Sequence, residues 1–486
     1  MKPRGILLFM AMVGLAMAAI ALVFPPNGIK IDDNIVLNFR LNTPSHDTIA
    51  TTSIIDSAML AIVQNDDVPS LTETPKTDTV AKHDTLVKKE EPSVIQPLAQ
   101  NHKSNSIKIQ PIEYATTDKE HLTKFFAKLA KSNSKTIRIL HYGDSQIEGD
   151  RITGYLRNLF QTKYGGSGPG LITAIPGIAK SSAIDHQASK NWQVYSIYNK
   201  KDTIGTQNRF GILGRFARFT PNQNSSEEQS AWIEFSPSTM AFKSVQNFTR
   251  CRIFYGCATK PFTVKGFVND SLTWFESLEP IDQTEQLLWK FDKAPNQFRI
   301  ELTSTNSPNI YAISLDAPTG VAVDNLPFRG SIGTEFVKLN FAQMAQMVKH
   351  LSVGLIIYEF GVNAVAYESK NYRFYEQSLR RQLHYLRQLM PEAKILVVSS
   401  SDMSEKTADG YVTKPEVAKV IEAQRNAAFA EGCAFWNLFE AMGGHNSMPQ
   451  WVNAKLAQKD YTHFNRKGGH IVAQKLYDAI MAEQSK

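Results

Sequence analysis

Cysteine is scarce in this chain of 486 residues, with only Cys251, Cys257 and Cys433 present. Three cysteines exclude a disulfide framework, and their spacing matches no metal site. Cys251 and Cys257 fall on one expected strand, where six residues span roughly 20 Å. A disulfide needs Cα atoms within about 7 Å, so all three read as small core residues. No Lys/Arg block is interleaved with aromatics, which excludes a nucleic-acid partner. No His, Asp and Glu cluster has metal-ligand spacing, so no metal and no cofactor is expected.

Aromatic residues are missing from Arg40 to Glu113, although they make up 10% of the whole chain. That stretch is rich in Thr, Ser, Asp, Lys and Pro, as in Thr72-Glu73-Thr74-Pro75-Lys76-Thr77-Asp78-Thr79. It has too little apolar surface to offset chain entropy and reads as a flexible tether. Charge of one sign is only mildly in excess, at +7 with a pI near 9.0. Such a balance favours anionic surroundings such as wall polymer or phospholipid headgroups.

At the N-terminus, Lys2 and Arg4 precede an uninterrupted apolar run from Gly5 to Phe24, closed by Pro25-Pro26. A helix needs about 20 residues to cross a bilayer, and the flanking positives orient the remainder outside the cytoplasm. The expectation is an anchor in the inner membrane, with everything after Phe24 in the periplasm or extracytoplasmic space. A cleaved signal peptide competes, because Ala16-Met17-Ala18 resembles a small-x-small cleavage site.

Beyond the tether, apolar runs alternate with helical patterns. Ile137 to Tyr142 reads as a strand, followed by a helix carrying Ile152, Tyr155, Leu156, Leu159 and Phe160. Near the C-terminus, Val353–Glu359, Lys394–Ser400 and Cys433–Leu438 read as strands. Helices are expected over Tyr372–Met390, from near Pro415, and over Arg466–Met481. Such alternation predicts a parallel sheet with helices on both faces. From 186 to 316 helical periodicity gives way to short strand-like runs separated by turn residues such as Asn269-Asp270-Ser271, the pattern of a β-sandwich.

Three places can carry chemistry. Ser145 follows a strand and opens a helix, at the carboxyl edge where open α/β sheets bind ligands. Asp460 and His463, three residues apart before the last helix, can supply a base and the partner that orients it. Asn363, in Gly361-Val362-Asn363, follows a strand and can donate its amide to an oxyanion, as can the backbone N–H of Gly330. His141, His445, His470 and Asp144 read as structural or lining residues.

These blocks, in this order and at these strand ends, resemble the SGNH (GDSL-type) hydrolase family. His141-Tyr142-Gly143-Asp144-Ser145-Gln146-Ile147-Glu148-Gly149-Asp150-Arg151 and Phe435-Trp436-Asn437-Leu438-Phe439-Glu440-Ala441-Met442-Gly443-Gly444 are similar to its envelope branch, which includes peptidoglycan O-acetylesterases. The resemblance implies an α/β fold, with a three-layer α/β/α domain interrupted by an inserted β-sandwich of carbohydrate-binding type. It also implies Ser145, His463 and Asp460 as a catalytic triad, with Ser145, Gly330 and Asn363 forming the oxyanion hole. The sequence departs from the family's Gly-x-Asn-Asp at Ala364, and the glycines of Gly165-Gly166-Ser167-Gly168-Pro169-Gly170 are an alternative to Gly330.

The expected organisation is an N-terminal transmembrane signal anchor over 1–28 and a disordered tether over 29–110. SGNH parts follow at 111–185 and 317–486, flanking the sandwich at 186–316. The expected function is an extracytoplasmic serine esterase removing O-acetyl groups from a cell-envelope glycan, with peptidoglycan as the foremost substrate. One alternative is an O-acetyltransferase served by a membrane acyltransferase partner. Another is a glycan-binding protein without catalysis, using Trp192, Trp232 or Trp274 as stacking platforms.

Overall fold

The computed structural model describes residues 29–32, 35–37, 109–115, 122–177, 181–199, 201–202, 206–220 and 226–485. The apolar run of 5–24 and most of the tether lie outside them. The tether region does contain strand at its start, where Ile29–Asp32 pairs antiparallel with Ile35–Leu37. The Ile/Val/Leu content of these few residues suits a hairpin better than the polar sequence that follows.

The main sheet has six strands: β1 (Ile112–Glu113), β2 (Thr136–Gly143), β3 (Gly320–Pro327), β4 (Val353–Glu359), β5 (Lys394–Val398) and β6 (Ala434–Trp436). Their order is β3-β2-β4-β5-β6-β1. All neighbours are parallel except the short edge strand β1. Every residue of β2 and β4 is buried, as expected of a sheet covered on both faces.

Side-chain alternation divides the core into two layers. Ile137, Ile139, Leu355, Ile357, Leu396 and Val398 point one way. They meet α1 (Thr123–Leu129), α2 (Thr153–Tyr164) and α5 (Arg466–Ala482) through Phe125, Leu156, Phe160, Ile471 and Leu476. Leu140, Tyr142, Ile356, Tyr358 and Ile395 point the other way. They meet α3 (Arg373–Leu389) and α4 (Glu416–Ala430) through Leu379, Leu383, Leu386, Val417 and Val420.

The chain between β2 and β3 builds two further antiparallel sheets. One orders Glu285–Lys290, Arg250–Gly256, Asn309–Asp316, Arg215–Arg218 and Gln193–Ser196, with Gly170–Ile172 added beside Asn309–Asp316. The other orders Ser271–Leu278, Phe262–Val268, Phe298–Ser304, Gln229–Pro237 and Ile184–Ala188. Ile233, Phe235, Ile253, Val264, Trp289, Phe298, Ile300 and Ile313 fill the space between them. Asn269 and Asp270 both have positive φ and form the two-residue turn of one hairpin. The sandwich starts before residue 186, because Gly170–Ile172 and Ile184–Ala188 already belong to its sheets.

The outer face of the first sandwich sheet shares a core with the α/β domain. Phe216, Phe254, Tyr311 and Ala312 belong to one apolar cluster with Leu140, Tyr142, Met344 and Met347. Charge pins the same junction. Arg138 on β2 donates to Asp324 on β3, with Nε–Oδ2 at 2.8 Å, and to Asp316 of the sandwich at 2.8 Å. Asp316 also receives Arg250 at 2.6 Å and Arg252 at 2.8 Å.

Burial works against the Asp316 charge, but the three arginines and Ser314 overcome it and hold its pKa at about 2. Asp324 additionally accepts the backbone N–H of Leu171 at 2.7 Å, tying the first sandwich strand down. The polar pair Asp324-Asn325 breaks the apolar run of β3, which is why that strand is hard to see in sequence alone.

Two sequence expectations change. Cys251 and Cys433 are buried, whereas Cys257 is only partly so. Cys257 lies just past its strand with φ of 48° and contacts the Tyr311 hydroxyl at 3.4 Å. Gly166, Gly168 and Gly170 all have positive φ, and an added Cβ would strike Val321, Leu315 and Asp324 respectively. That glycine run is a close-packed seam between β3 and the sandwich, so it does not replace Gly330. Trp192, Trp232 and Trp274, for each of which packing was the readier expectation, are all half-buried. Trp274 stacks on Trp289 with centroids 5.2 Å apart, and Arg299 lies over Trp232 at 5.1 Å.

Removing one member of a buried ion cluster leaves its partners charged and unpaired, at a cost of about 3–5 kcal/mol. Asp316→Ala is expected to lower unfolding stability by about that amount, measured by urea denaturation at pH 7.

Candidate active site

Three adjacent strands end at one place. Ser145 follows β2, Gly330 follows β3, and Asn363 follows β4. The ends are in register, with Gly143 paired to Pro327 on one side and to Glu359 on the other. The chain leaves β2 toward β3 on one side and later returns to β4 on the other. This switch in direction opens a crevice at the carboxyl edge of the sheet.

Ser145 begins a short 3₁₀ segment, Ser145–Asp150, and is half-buried while Asp144 and Gln146 beside it are buried. Its Oγ lies 2.8 Å from His463 Nε2. His463 Nδ1 lies 2.7 Å from Asp460 Oδ2. The other carboxylate oxygen, Oδ1, accepts the backbone N–H groups of Thr462 and His463, each at 3.0 Å. Burial pushes the Asp460 pKa up, but the hydrogen bonds from His463 and Thr462 outweigh it and hold the carboxyl below its usual range. Serine hydroxyl, imidazole and carboxylate thus form a relay from residues 318 positions apart in the chain.

Gly330 sits in the turn after β3 with φ of 77° and open space where a Cβ would stand. Asn363 Nδ2 donates one hydrogen to Ser331 O at 2.9 Å, which leaves its second hydrogen for another acceptor. Gly361 has φ of 145°, and a Cβ there would come within 2.7 Å of the Ser400 side chain. Only glycine brings the Asn363 turn so close to the end of β5.

Several residues that the sequence left unassigned hold these groups in place. Gln146 donates to Thr462 O at 2.7 Å and to Ser401 Oγ at 3.1 Å, and accepts the Phe464 N–H at 3.2 Å. It joins the serine turn directly to the histidine loop. Arg151 donates to the carbonyls of Ser145 and Gln146 at 2.9 and 3.0 Å.

Tyr461 has φ of 55° and stacks on Tyr411 with centroids 3.5 Å apart. The hairpin Ser404–Thr407 with Gly410–Thr413 carries Tyr411 and supports the loop from the far side, where Ser404 N–H donates to Tyr461 O at 3.1 Å. Gln146 adjoins the serine in the motif, but its partners are more than 250 residues away, so sequence offered no signal of its task.

Asp144 accepts the N–H groups of Gln146 at 3.0 Å and Gly361 at 3.2 Å, bridging the serine turn to the Asn363 turn. Burial pushes its pKa up to about 7; the Glu359 charge adds to the rise, while the backbone donors oppose it. His141 is fully buried between Glu359 and Thr153, each at 2.9 Å, and is a core histidine. His470 is buried and stacks on Tyr155, with centroids at 4.8 Å, and His445 is exposed.

No protein-family model and no curated protein matches the sequence. The architecture is nonetheless a defined one: a three-layer α/β/α domain with a Ser-His-Asp relay at the carboxyl edge of its parallel sheet and a sandwich inserted after the first crossover helix. Among solved structures, the chain is similar to a peptidoglycan O-acetylesterase at a TM-score of 0.60 and 21% identity, covering 77% of this chain and 99% of that one. A salicylyl-acyltransferase from a tetracycline biosynthetic pathway matches at a TM-score of 0.29 and 14% identity, over 64% of this chain and 96% of that one. At that score the second likeness has no weight here, whereas the first establishes the shared fold.

Two measurements test the supporting residues. A group whose folded pKa is raised binds extra protons in the folded state, so its ionisation lowers stability as pH rises between its unfolded and folded values. Wild-type stability is therefore expected to fall relative to Asp144→Asn as pH rises from about 4 to about 7, followed by urea denaturation across that range. Gln146→Leu is expected to reduce kcat for a small aryl acetate by about 10²-fold with little change in KM, because a misplacement of the relay by about 1 Å has that effect.

Proposed function

We propose that this chain is an extracytoplasmic serine esterase that removes O-acetyl groups from a cell-envelope glycan, with peptidoglycan as the polymer. The observation that supports the reading is the relay of 2.8 Å and 2.7 Å joining Ser145, His463 and Asp460. His463 Nε2 takes the Ser145 proton as Oγ attacks the acetyl carbonyl. Asp460 orients the imidazole and stabilises its charged form.

The backbone N–H groups of Ser145 and Gly330 and the Asn363 amide receive the oxyanion. Each such donor contributes about 2.7–4 kcal/mol to transition-state stabilisation. His463 then returns the proton to the departing sugar oxygen, leaving acetyl-Ser145. Water, deprotonated by His463, attacks this ester and releases acetate.

The choice of peptidoglycan rests on the shared fold with a peptidoglycan O-acetylesterase and on the net charge of +7, which suits an anionic wall. The extracytoplasmic, membrane-tethered placement rests on the apolar run from Gly5 to Phe24 after Lys2 and Arg4, outside the described residues.

Acetate release from O-acetylated peptidoglycan by the purified chain tests the proposal, with Ser145→Ala alongside. Release by wild type, falling by on the order of 10⁶-fold in kcat in the variant, is the expected result. Equal release by Ser145→Ala would overturn the mechanism. Acetate appearing on an added glycan acceptor rather than in water would instead identify a transferase.

A further inference from the structure

Beside the serine turn lies a cavity of about 170 Å³ that the triad does not use. One wall is the end of the serine segment at Glu148–Asp150, a second is the turn from β3 through Phe328 and Arg329, and the sandwich closes it with Leu171 and Arg215. It therefore shares its walls with the segments that carry Ser145 and Gly330. The backbone there departs from ordinary helix, with Gly149 at φ of 66° and Asp150 at φ of 62°. Strain in a non-glycine residue is concentrated at functional sites.

The lining charges do not balance. Arg157, Arg215 and Arg329 face two carboxylates, Glu148 and Asp150. Arg157 pairs with Asp150 at 2.8 Å, and Arg329 pairs with Glu148 at 3.3 Å in an exposed contact. Arg215 has no carboxylate in salt-bridge contact among the described residues; it is half-buried, and burial disfavours its charge while the nearby Tyr198 and Glu148 favour it. Arg157 is buried, and its Nη1 has no hydrogen-bond partner among the described residues. An unmade hydrogen bond on a buried guanidinium is costly, which makes it the mark of an absent acceptor. His186 adds no charge at neutral pH, since burial lowers its pKa to about 4 despite its bond to the Ala174 carbonyl.

We propose that this cavity is a subsite for a single carboxylate carried by the glycan, so that the preferred substrate is an acetylated acidic sugar whose carboxylate docks between Arg215 and Arg157. One uncompensated positive charge matches a monoanion, and planar guanidinium groups bind carboxylates through paired N–H···O bonds. A space of about 170 Å³ admits a carboxyl substituent. This deepens the esterase reading and rests on it for the identity of the acyl group removed: the muramyl carboxyl of peptidoglycan is an amide wherever it carries its peptide, so the subsite takes glycan from which the peptide has been removed.

The test uses O-acetylated N-acetylmuramic acid, which bears a free carboxylate, and the same compound as its carboxamide. Wild type is expected to favour the acid by roughly tenfold to hundredfold in kcat/KM, mainly through KM. In Arg215→Gln that ratio should collapse toward unity. The more exposed Arg329→Gln should reduce it less, and Arg380→Gln, on the solvent side of α3, should keep it.

Calorimetric binding of N-acetylmuramic acid and its carboxamide to the same proteins should reproduce the ratios as Kd. Equal kcat/KM and equal Kd for acid and carboxamide in wild type, or an unchanged ratio in folded Arg215→Gln, would overturn the subsite. Loss of acetate release from every ester, with the Kd preference intact, would overturn the esterase reading and leave the subsite standing.

Discussion

The structure turns on the buried meeting of Arg138 with Asp324 and Asp316. Arg138 and Asp324 are strand residues of the α/β sheet, and Asp316 ends a strand of the sandwich. Moving such charges out of water costs several kcal/mol each, and only good geometry returns it. Here every oxygen is used, because Arg250, Arg252, Ser314 and the Leu171 N–H complete the cluster. An apolar patch would tolerate sliding, whereas paired guanidinium and carboxylate groups accept one register. The sandwich is held on the sheet in one orientation, and the cavity formed at their junction inherits that rigidity.

The relay depends on the same sheet in another way. β2 lies between β3 and β4 in space, but the whole sandwich separates it from both of them in the chain. Their parallel register sets Gly143, Pro327 and Glu359 level, so the turns that follow converge on one small volume. Asp144 then locks two of these turns together by accepting N–H groups from both. Gln146 and the Tyr411–Tyr461 stack hold the histidine loop from opposite sides. Catalytic geometry here is a property of strand ends and their cross-links more than of the loops themselves.

Much of the fold was legible from local pattern. Largely apolar runs marked β4, which ends in Glu359, and β2, which carries Arg138 and His141, while amphipathic spacing marked α3, α4 and α5 close to their observed ends. Ser145, Asp460 and His463 were visible because each stands at a strand end or helix start beside residue types suited to acyl chemistry. β3 was obscure, since Asp324 and Asn325 read as loop residues until Arg138 and Thr153 are seen to meet them. The strands Gln193–Ser196 and Arg215–Arg218 were obscure for the same reason, being short and polar and stabilised by neighbours rather than by their own propensity.

What the sequence determined by itself is therefore what depends on periodicity and on local residue chemistry: the α/β alternation, the interruption by a β-rich insert, and the candidate nucleophile, base and acid. Tertiary structure alone decided the rest. It chose which glycines pack a seam and which one opens a turn, gave Gln146 its partners across more than 250 residues, and enclosed Arg215 and Arg157 in a cavity with excess positive charge. The physical reason is that burial and charge balance belong to contacts between distant segments, and a linear pattern carries no term for them.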